Sequence, residues 1–185
     1  MIKEAPRKRP IRLLFQDEGR FGRISDRRRC WAPLPMRPTV GSQIVREYVY
    51  ALTAVSPQDG ALATLVMPWI DTDTMSVFME FTAKQFANDF CIMFLDGAGW
   101  HRAHALRIPA NVRLIGLPPY SPELNPVELV WDYLRDNYMG NQVFESLDQV
   151  MDVLEKGLHE IGKQPNMIKS MTNFDWINAL SLTYN

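Results

Sequence analysis

Hydrophobic residues along this 185-residue chain alternate in short runs at first and then recur at helical spacing, which predicts a mixed α/β fold. Five segments have the two-residue periodicity or the continuous apolar character of strands: "IRLLFQD" (11–17), "REYVYALTAVS" (46–56), "ALATLVMPW" (61–69), "CIMFLD" (91–96) and "VRLIGLP" (112–118). The turn sequence "PQDG" joins the second and third segments, so these two should pair as an antiparallel hairpin.

Helical spacing of apolar residues predicts three helices. The first follows a cap at Asp71 or Asp73 and runs to about Asn88, the second spans about Pro126 to Tyr138, and the third spans Phe144 to Ile161 and stops near Gly162 and Pro165. Residues 18–38 are interpreted as a loop or hairpin, and residues 97–108 as a glycine loop followed by a short helix. A strand–helix–strand crossover pairs its strands in parallel, so the chain should form a mixed five-stranded sheet with helices on both faces.

Composition supports one folded domain, because 46% hydrophobic and 11% aromatic residues are enough for a packed core. We divide the chain into a basic, flexible lead-in (1–10), the domain (11–165) and a C-terminal tail (166–185) that is a short helix or irregular. The N-terminus lacks the apolar stretch of a signal peptide, and no apolar run is long enough to span a bilayer. Cys30 and Cys91 form no CxxC pair and are expected to be reduced thiols in the cytoplasm.

Charge is distributed unevenly along the chain. Residues 1–46 contain twelve Lys/Arg and four Asp/Glu, a net +8, whereas the remaining eight Lys/Arg and seventeen Asp/Glu give a net −9 over residues 47–185. Such asymmetry favours a polyanionic partner for the basic part. A solvated surface of mixed charge explains it equally well, and composition leaves both interpretations open.

Two of the predicted strands end in an aspartate, Asp17 and Asp96. Ligands of open α/β sheets gather at the carboxyl ends of the strands, so on neighbouring strands these two carboxylates would lie together. Two such anions repel each other unless a cation separates them, and Mg²⁺ prefers oxygen ligands. Glu18 is the alternative to Asp17, but strand alternation places Asp17 on the apolar face of Leu13 and Phe15 and therefore favours Asp17.

Glu128 is a third acid with two interpretations. In "NPVE", Asn125 fits the N-cap of a helix, Pro126 its first position and Glu128 its third. A Glu at that position can close a capping box on the backbone amide of the cap, which is a purely structural role. It can also be the third acid of a site with two metal ions.

The segments "LLFQDEGRFG…WAP", "FLDGAGWH" and "LPPYSPELNPVELVWDYLR" resemble the catalytic core of DDE transposases, with the bacterial insertion-sequence branch of the mariner superfamily as the nearest group. The resemblance covers about residues 11–161 and implies an integrase/RNase H-like fold. It places the catalytic and metal-binding acids on Asp17, Asp96 and Glu128. The 31 residues between Asp96 and Glu128 are slightly fewer than is usual for the family, and Gly97 stands where many relatives have Asn.

The resemblance also implies a function. Two Mg²⁺ ions, for which Mn²⁺ substitutes, would support cleavage of double-stranded DNA at transposon ends and transfer of the 3′-hydroxyl into target DNA. A homodimer is the expected active form, with no small-molecule cofactor and no membrane, at the nucleoid in the cytoplasm of a prokaryotic cell. Full-length relatives carry a helix-turn-helix region before this domain, so we expect a separately encoded or truncated catalytic half. The alternatives are an inactive or repurposed DNA-binding module and an RNase H-like nuclease acting on RNA or hybrids.

Arginines clustered after the first acid suit contact with DNA phosphates, although a solvated hairpin would also carry them. The predicted DNA-binding residues are Arg20, Arg23, Arg27, Arg28, Arg29 and, by resemblance, His101. A zinc site of His101, His104 and Asp96 is disfavoured because a fourth ligand is lacking. Asp132 could reach an ion but is expected to be a solvated helix residue. Asn125, Pro126 and Trp131 are predicted structural supports, with Trp131 in the core, while Trp100 is open to either a core or a base-stacking role.

Overall fold

The computed structural model describes residues 9–97 and 105–182, with side chains to residue 179. Five strands form one sheet: β1 (Ile11–Ile24), β2 (Ile44–Ser56), β3 (Ala61–Met67), β4 (Phe90–Leu95) and β5 (Val112–Gly116). Their order across the sheet is β3-β2-β1-β4-β5. The first three strands pair antiparallel, whereas β4 is parallel to both β1 and β5. The predicted five-stranded mixed sheet is confirmed.

Strand β1 is longer than predicted, and the end that we placed at Asp17 was wrong. Its second half pairs with β2, from Asp17 opposite Thr53 to Gly22 opposite Tyr48, so residues 18–24 are strand rather than loop. The glycines and arginines there interrupt the apolar pattern, but the ladder of backbone hydrogen bonds with β2 maintains the strand. On its other side β1 pairs with β4 only as far as Phe15 opposite Phe94. Asp17 therefore lies in the middle of β1, just past its pairing with β4.

The described residues contain five helices: α1 (Thr72–Gln85), α2 (Val127–Leu134) and α3 (Leu147–Gly162) follow the predicted order, and α4 (Pro165–Thr172) and α5 (Asp175–Leu182) come after them, almost entirely within the tail expected to be a short helix or irregular. Asp71 is the residue that caps α1, through a hydrogen bond from the Thr74 amide of 2.8 Å. Helix α2 continues into a π-helical segment, Arg135–Met139. We predicted a short helix within residues 97–108. Of this range the structure describes Gly97 and residues 105–108, and none of these is helical.

Both faces of the sheet are covered by helices, as predicted. One face packs Leu14 and Leu52 against α1, where Phe78 and Met79 are fully buried. The other face carries Phe15, Val55 and neighbouring residues and packs against α2 to α5. Helices α4 and α5 contribute the buried residues Ile168 and Ile177 to this same core. The division at residue 165 into a domain and a tail stays a prediction.

The turn between β2 and β3 is fixed against the start of α4. Gly60 in this turn has a φ of 72°, and a Cβ added there would lie 1.9 Å from the carbonyl oxygen of Pro165. Both the left-handed backbone and the close approach require glycine. Within the described ranges, no helix has the length and apolar character needed to cross a membrane.

Candidate active site

The carboxylates of Asp17, Asp96 and Glu128 line one cavity of about 470 Å³. They reach it from three elements: Asp17 from the middle of β1, Asp96 directly after β4, and Glu128 from the first turn of α2. The proline-rich loop from Leu117 to Pro122 lines the same cavity. Three acids that are far apart in sequence thus face a common space beside the end of β4.

Asp17 lies in a poorly solvated position. Burial and, to a smaller extent, the nearby charges of Glu128 and Glu18 together raise the pKa of Asp17 from its ordinary value of 3.8 to about 7. A hydrogen bond from the indole N–H of Trp131 to Asp17 Oδ2, 2.8 Å long, opposes this increase. The carboxylate is therefore costly to ionise in isolation, and a cation placed between Asp17 and Glu128 would relieve that cost.

Two side chains tie α2 to β1 on either side of this carboxylate. Asn125 is buried; its side-chain amide donates to the carbonyl of Gln16 at 3.0 Å, and its Oδ1 accepts the amide of Val127 at 3.3 Å. Trp131, also buried, holds Asp17 directly. Together these contacts fix the start of α2, and with it the backbone of Glu128, against the strand that carries Asp17.

Trp131 has a role that the sequence did not reveal. We predicted it as a core residue, and it does pack edge-to-face on Phe21 with ring centroids 5.7 Å apart. Gly19 makes room for it, since a Cβ there would lie 3.0 Å from the indole ring. The signal available from the sequence was that a buried indole N–H needs an acceptor. Asp17, which shares the sheet face of Phe15, was the acid in a position to supply one.

The capping-box interpretation of Glu128 is not supported by the structure. The backbone N–H of Asn125, which a capping box would pair with the Glu128 carboxylate, instead donates to the carbonyl of Pro122 at 2.9 Å. The regular part of α2 begins at Val127, directly after Pro126, and Glu128 lies in its first turn. The Glu128 carboxylate lines the cavity together with the other two acids.

The donor chemistry of the cavity fits a divalent cation that prefers oxygen ligands. Within residues 9–97 and 105–182, however, no group of three His, Cys, Asp or Glu side chains is already close enough to hold one ion. The fit therefore rests on the carboxylates and on the unfavourable charge of Asp17. Asp132 pairs with Arg28 at 3.4 Å, which agrees with its interpretation as a solvated helix residue. Glu18 accepts a hydrogen bond from Gln16 at 3.1 Å.

The predicted DNA-binding arginines fall into two groups. Arg23 and Arg28 have partners within the protein: Arg23 pairs with Glu47 at 2.8 Å, and Arg28 pairs with Asp26 at 3.1 Å. The others are exposed: Arg20 lies over the Tyr48 ring, Arg27 bonds Ser42, and Arg29 extends into solvent. His101, together with Trp100 and His104, lies outside the described residues, as do residues 1–8 of the predicted lead-in.

The sheet order β3-β2-β1-β4-β5, with helices on both faces, brings acids from β1, from α2 and from the residue after β4 to one cavity. The chain belongs to the DDE superfamily endonuclease family, whose model matches residues 12–151. The predicted membership of the DDE superfamily is thereby confirmed.

Individual relatives agree with this assignment. An uncharacterized protein, y4pE/y4sA of Sinorhizobium fredii, is 35% identical over 130 residues, which are 70% of this chain and 96% of that protein. The Mos1 strand transfer complex matches 86% of this chain and 54% of its own, with 14% identity and a TM-score of 0.56. The Mos1 mariner paired end complex with Mn matches 88% and 56%, with 13% identity and a TM-score of 0.55. At such identities the likeness shows the fold, and this chain spans about half the length of the Mos1 chains.

Proposed function

We propose that this chain is the catalytic domain of a DNA transposase. It hydrolyses phosphodiester bonds at the transposon ends and transfers the freed 3′-hydroxyl into target DNA. The observation that carries this proposal is the meeting of Asp17, Asp96 and Glu128 at one cavity, in a chain of the DDE endonuclease family. Three carboxylates at one cavity suit metal-assisted attack by water or a hydroxyl.

The proposed ligands of two Mg²⁺ ions are these three carboxylates. When bound, Mg²⁺ or Mn²⁺ would activate the attacking oxygen and stabilise the leaving oxygen. Trp131 holds the Asp17 carboxylate in place through Oδ2. Asn125 anchors the helix that carries Glu128, which limits the rearrangement needed when substrate arrives.

Double-stranded DNA is the proposed partner, and the exposed Arg20, Arg27 and Arg29 are the proposed phosphate contacts. Such contacts weaken as salt rises and carry no base specificity. Arg23 instead pairs with Glu47 of β2, and Arg28 pairs with Asp26 and with Asp132 of α2. A contribution of His101 near the phosphate, a homodimeric active form and action at the prokaryotic nucleoid are parts of the same proposal.

The decisive experiment compares Glu128→Gln with the matched control Glu123→Gln, an exposed acid in the short 3-10 turn before α2. Nicking of supercoiled DNA with Mg²⁺ should fall about a hundredfold or more in Glu128→Gln, because a transition-state contact is lost. Glu123→Gln should cut at the wild-type rate, and both variants should melt like the wild type.

Parallel assays on RNA and on DNA–RNA hybrid separate the alternatives. Preference for RNA or hybrid would favour an RNase H-like nuclease, and DNA binding without cleavage would favour an inactive module. Wild-type cutting by Glu128→Gln would remove Glu128 from the chemistry.

A further inference from the structure

Tyr120 occupies an unusual position at the mouth of the catalytic cavity. It lies in the loop after β5, lines the same space as Asp17, Asp96 and Glu128, and its side chain is 101% exposed. Its backbone is left-handed, with a φ of 57°. An aromatic side chain in full contact with water therefore stands directly beside the proposed reaction centre.

Neither local conformation nor packing explains a tyrosine at this position. Left-handed φ at a turn is normally supplied by Gly or Asn, because a Cβ disfavours it. The ring buries no apolar surface that would offset this cost. The neighbouring residues Pro118, Pro119 and Pro122 restrict the loop, and the Ser121 hydroxyl donates to the carbonyl of Pro119 at 3.3 Å. The backbone that presents the Tyr120 ring to solvent at the mouth of the cavity is therefore restricted.

We propose that Tyr120 stacks on an unpaired DNA base next to the phosphodiester that enters the cavity, an inference that rests on the proposed function. A neutral aromatic ring suits contact with a base. A phosphate beside three carboxylates needs cations in order to bind, whereas a base does not. The base is unpaired because bases inside a duplex have both faces covered by their neighbours. Stacking of this kind is tolerant of sequence, so Tyr120 would secure an opened end without selecting its sequence.

The test uses the full chain and a DNA duplex with a short single-stranded overhang carrying 2-aminopurine, whose fluorescence falls when it stacks on an aromatic ring. Tyr120→Phe keeps the ring. Tyr120→Asn removes it with a residue that tolerates positive φ. Phe81→Leu is a matched control, because Phe81 is a partly exposed aromatic residue on α1 that does not line the cavity.

Wild type, Tyr120→Phe and Phe81→Leu should quench the probe equally. Tyr120→Asn should lose most of the quenching and bind the overhang about tenfold more weakly, within the range of a single base–aromatic stack, without a lower melting temperature. Equal quenching and affinity in Tyr120→Asn, with a wild type that cuts DNA, would overturn the stacking alone. A wild type that neither binds nor cuts DNA would overturn the proposed function as well.

Discussion

The buried carboxylate of Asp17 should destabilise the metal-free protein at neutral and alkaline pH. Burial, followed in weight by the charges of Glu128 and Glu18, raises its pKa from 3.8 to about 7. A carboxyl whose pKa is higher in the folded than in the unfolded chain favours folding below pH 4. That contribution is lost progressively as pH rises from about 4 to 7. Replacing Asp17 with Asn removes the titration and keeps an acceptor for the Trp131 indole.

The size of the effect follows from the pKa. A difference of about 3 pH units, at about 1.4 kcal/mol each, gives an upper limit of about 4 kcal/mol for the whole transition. Of this stabilisation, about 2–3 kcal/mol is lost between pH 5 and pH 8. The free energy of unfolding of Asp17→Asn, relative to wild type, should therefore rise by that amount between these two pH values when no divalent metal is present.

Urea unfolding in EDTA at pH 5 and pH 8 measures this difference. Asp132→Asn is the matched control, because Asp132 is an exposed acid on the same helix as Glu128. Its unfolding free energy should follow the wild type at both pH values. Added Mg²⁺ should stabilise the wild type more than Asp17→Asn, since a cation that binds the folded state shifts unfolding. If wild type and Asp17→Asn showed the same pH dependence in EDTA, the inference that Asp17 is buried as a costly anion would be refuted.

Two further substitutions test contacts around the site and the turn that packs on α4. Trp131→Phe removes the hydrogen bond to Asp17 and should weaken Mn²⁺ binding about tenfold in titration calorimetry, since hydrogen bonds to charged groups contribute about 1.5–3 kcal/mol. The control Trp176→Phe should bind Mn²⁺ like the wild type. Equal affinities of Trp131→Phe and wild type would contradict the role given to Trp131. Gly60→Ala should lower the free energy of unfolding by more than about 2 kcal/mol, because its Cβ would overlap the Pro165 carbonyl. Gly162→Ala is the control, and it should change the free energy of unfolding little because the space around Gly162 is open. A Gly60→Ala variant as stable as the wild type would show that this turn can move.

Periodicity in the sequence was sufficient for the five strands and for α1 to α3. The periodicity did not predict the second half of β1, which is a strand because it pairs with β2. The stretch from Gly19 to Gly22 has the composition of a loop, and it is strand only because β2 pairs with it along its whole length. Such pairing lies between segments about 30 residues apart and leaves no local trace in the sequence.

The acids of the candidate site were predicted from strand ends and from the family resemblance, but the contacts that hold them were not predicted. Asn125 and Gln16 are 109 residues apart, and Trp131 and Asp17 are 114 apart. Helical spacing shows that Trp131 faces inward, and it cannot show which atom meets the indole N–H. The left-handed backbone of Tyr120 was hidden for a different reason, because tyrosine is an uncommon choice for that conformation.

The attachment of α2 to β1 has a consequence for how such domains vary in length. Because Asn125 and Trp131 anchor the helix on the strand of the first acid, the third acid is positioned independently of the chain that connects it to the second. Residues added to or removed from that connection would leave the spacing of Asp17 and Glu128 unchanged. The stretch between Asp96 and the proline-rich loop is thus where this architecture can accept insertions and deletions at least cost to its chemistry.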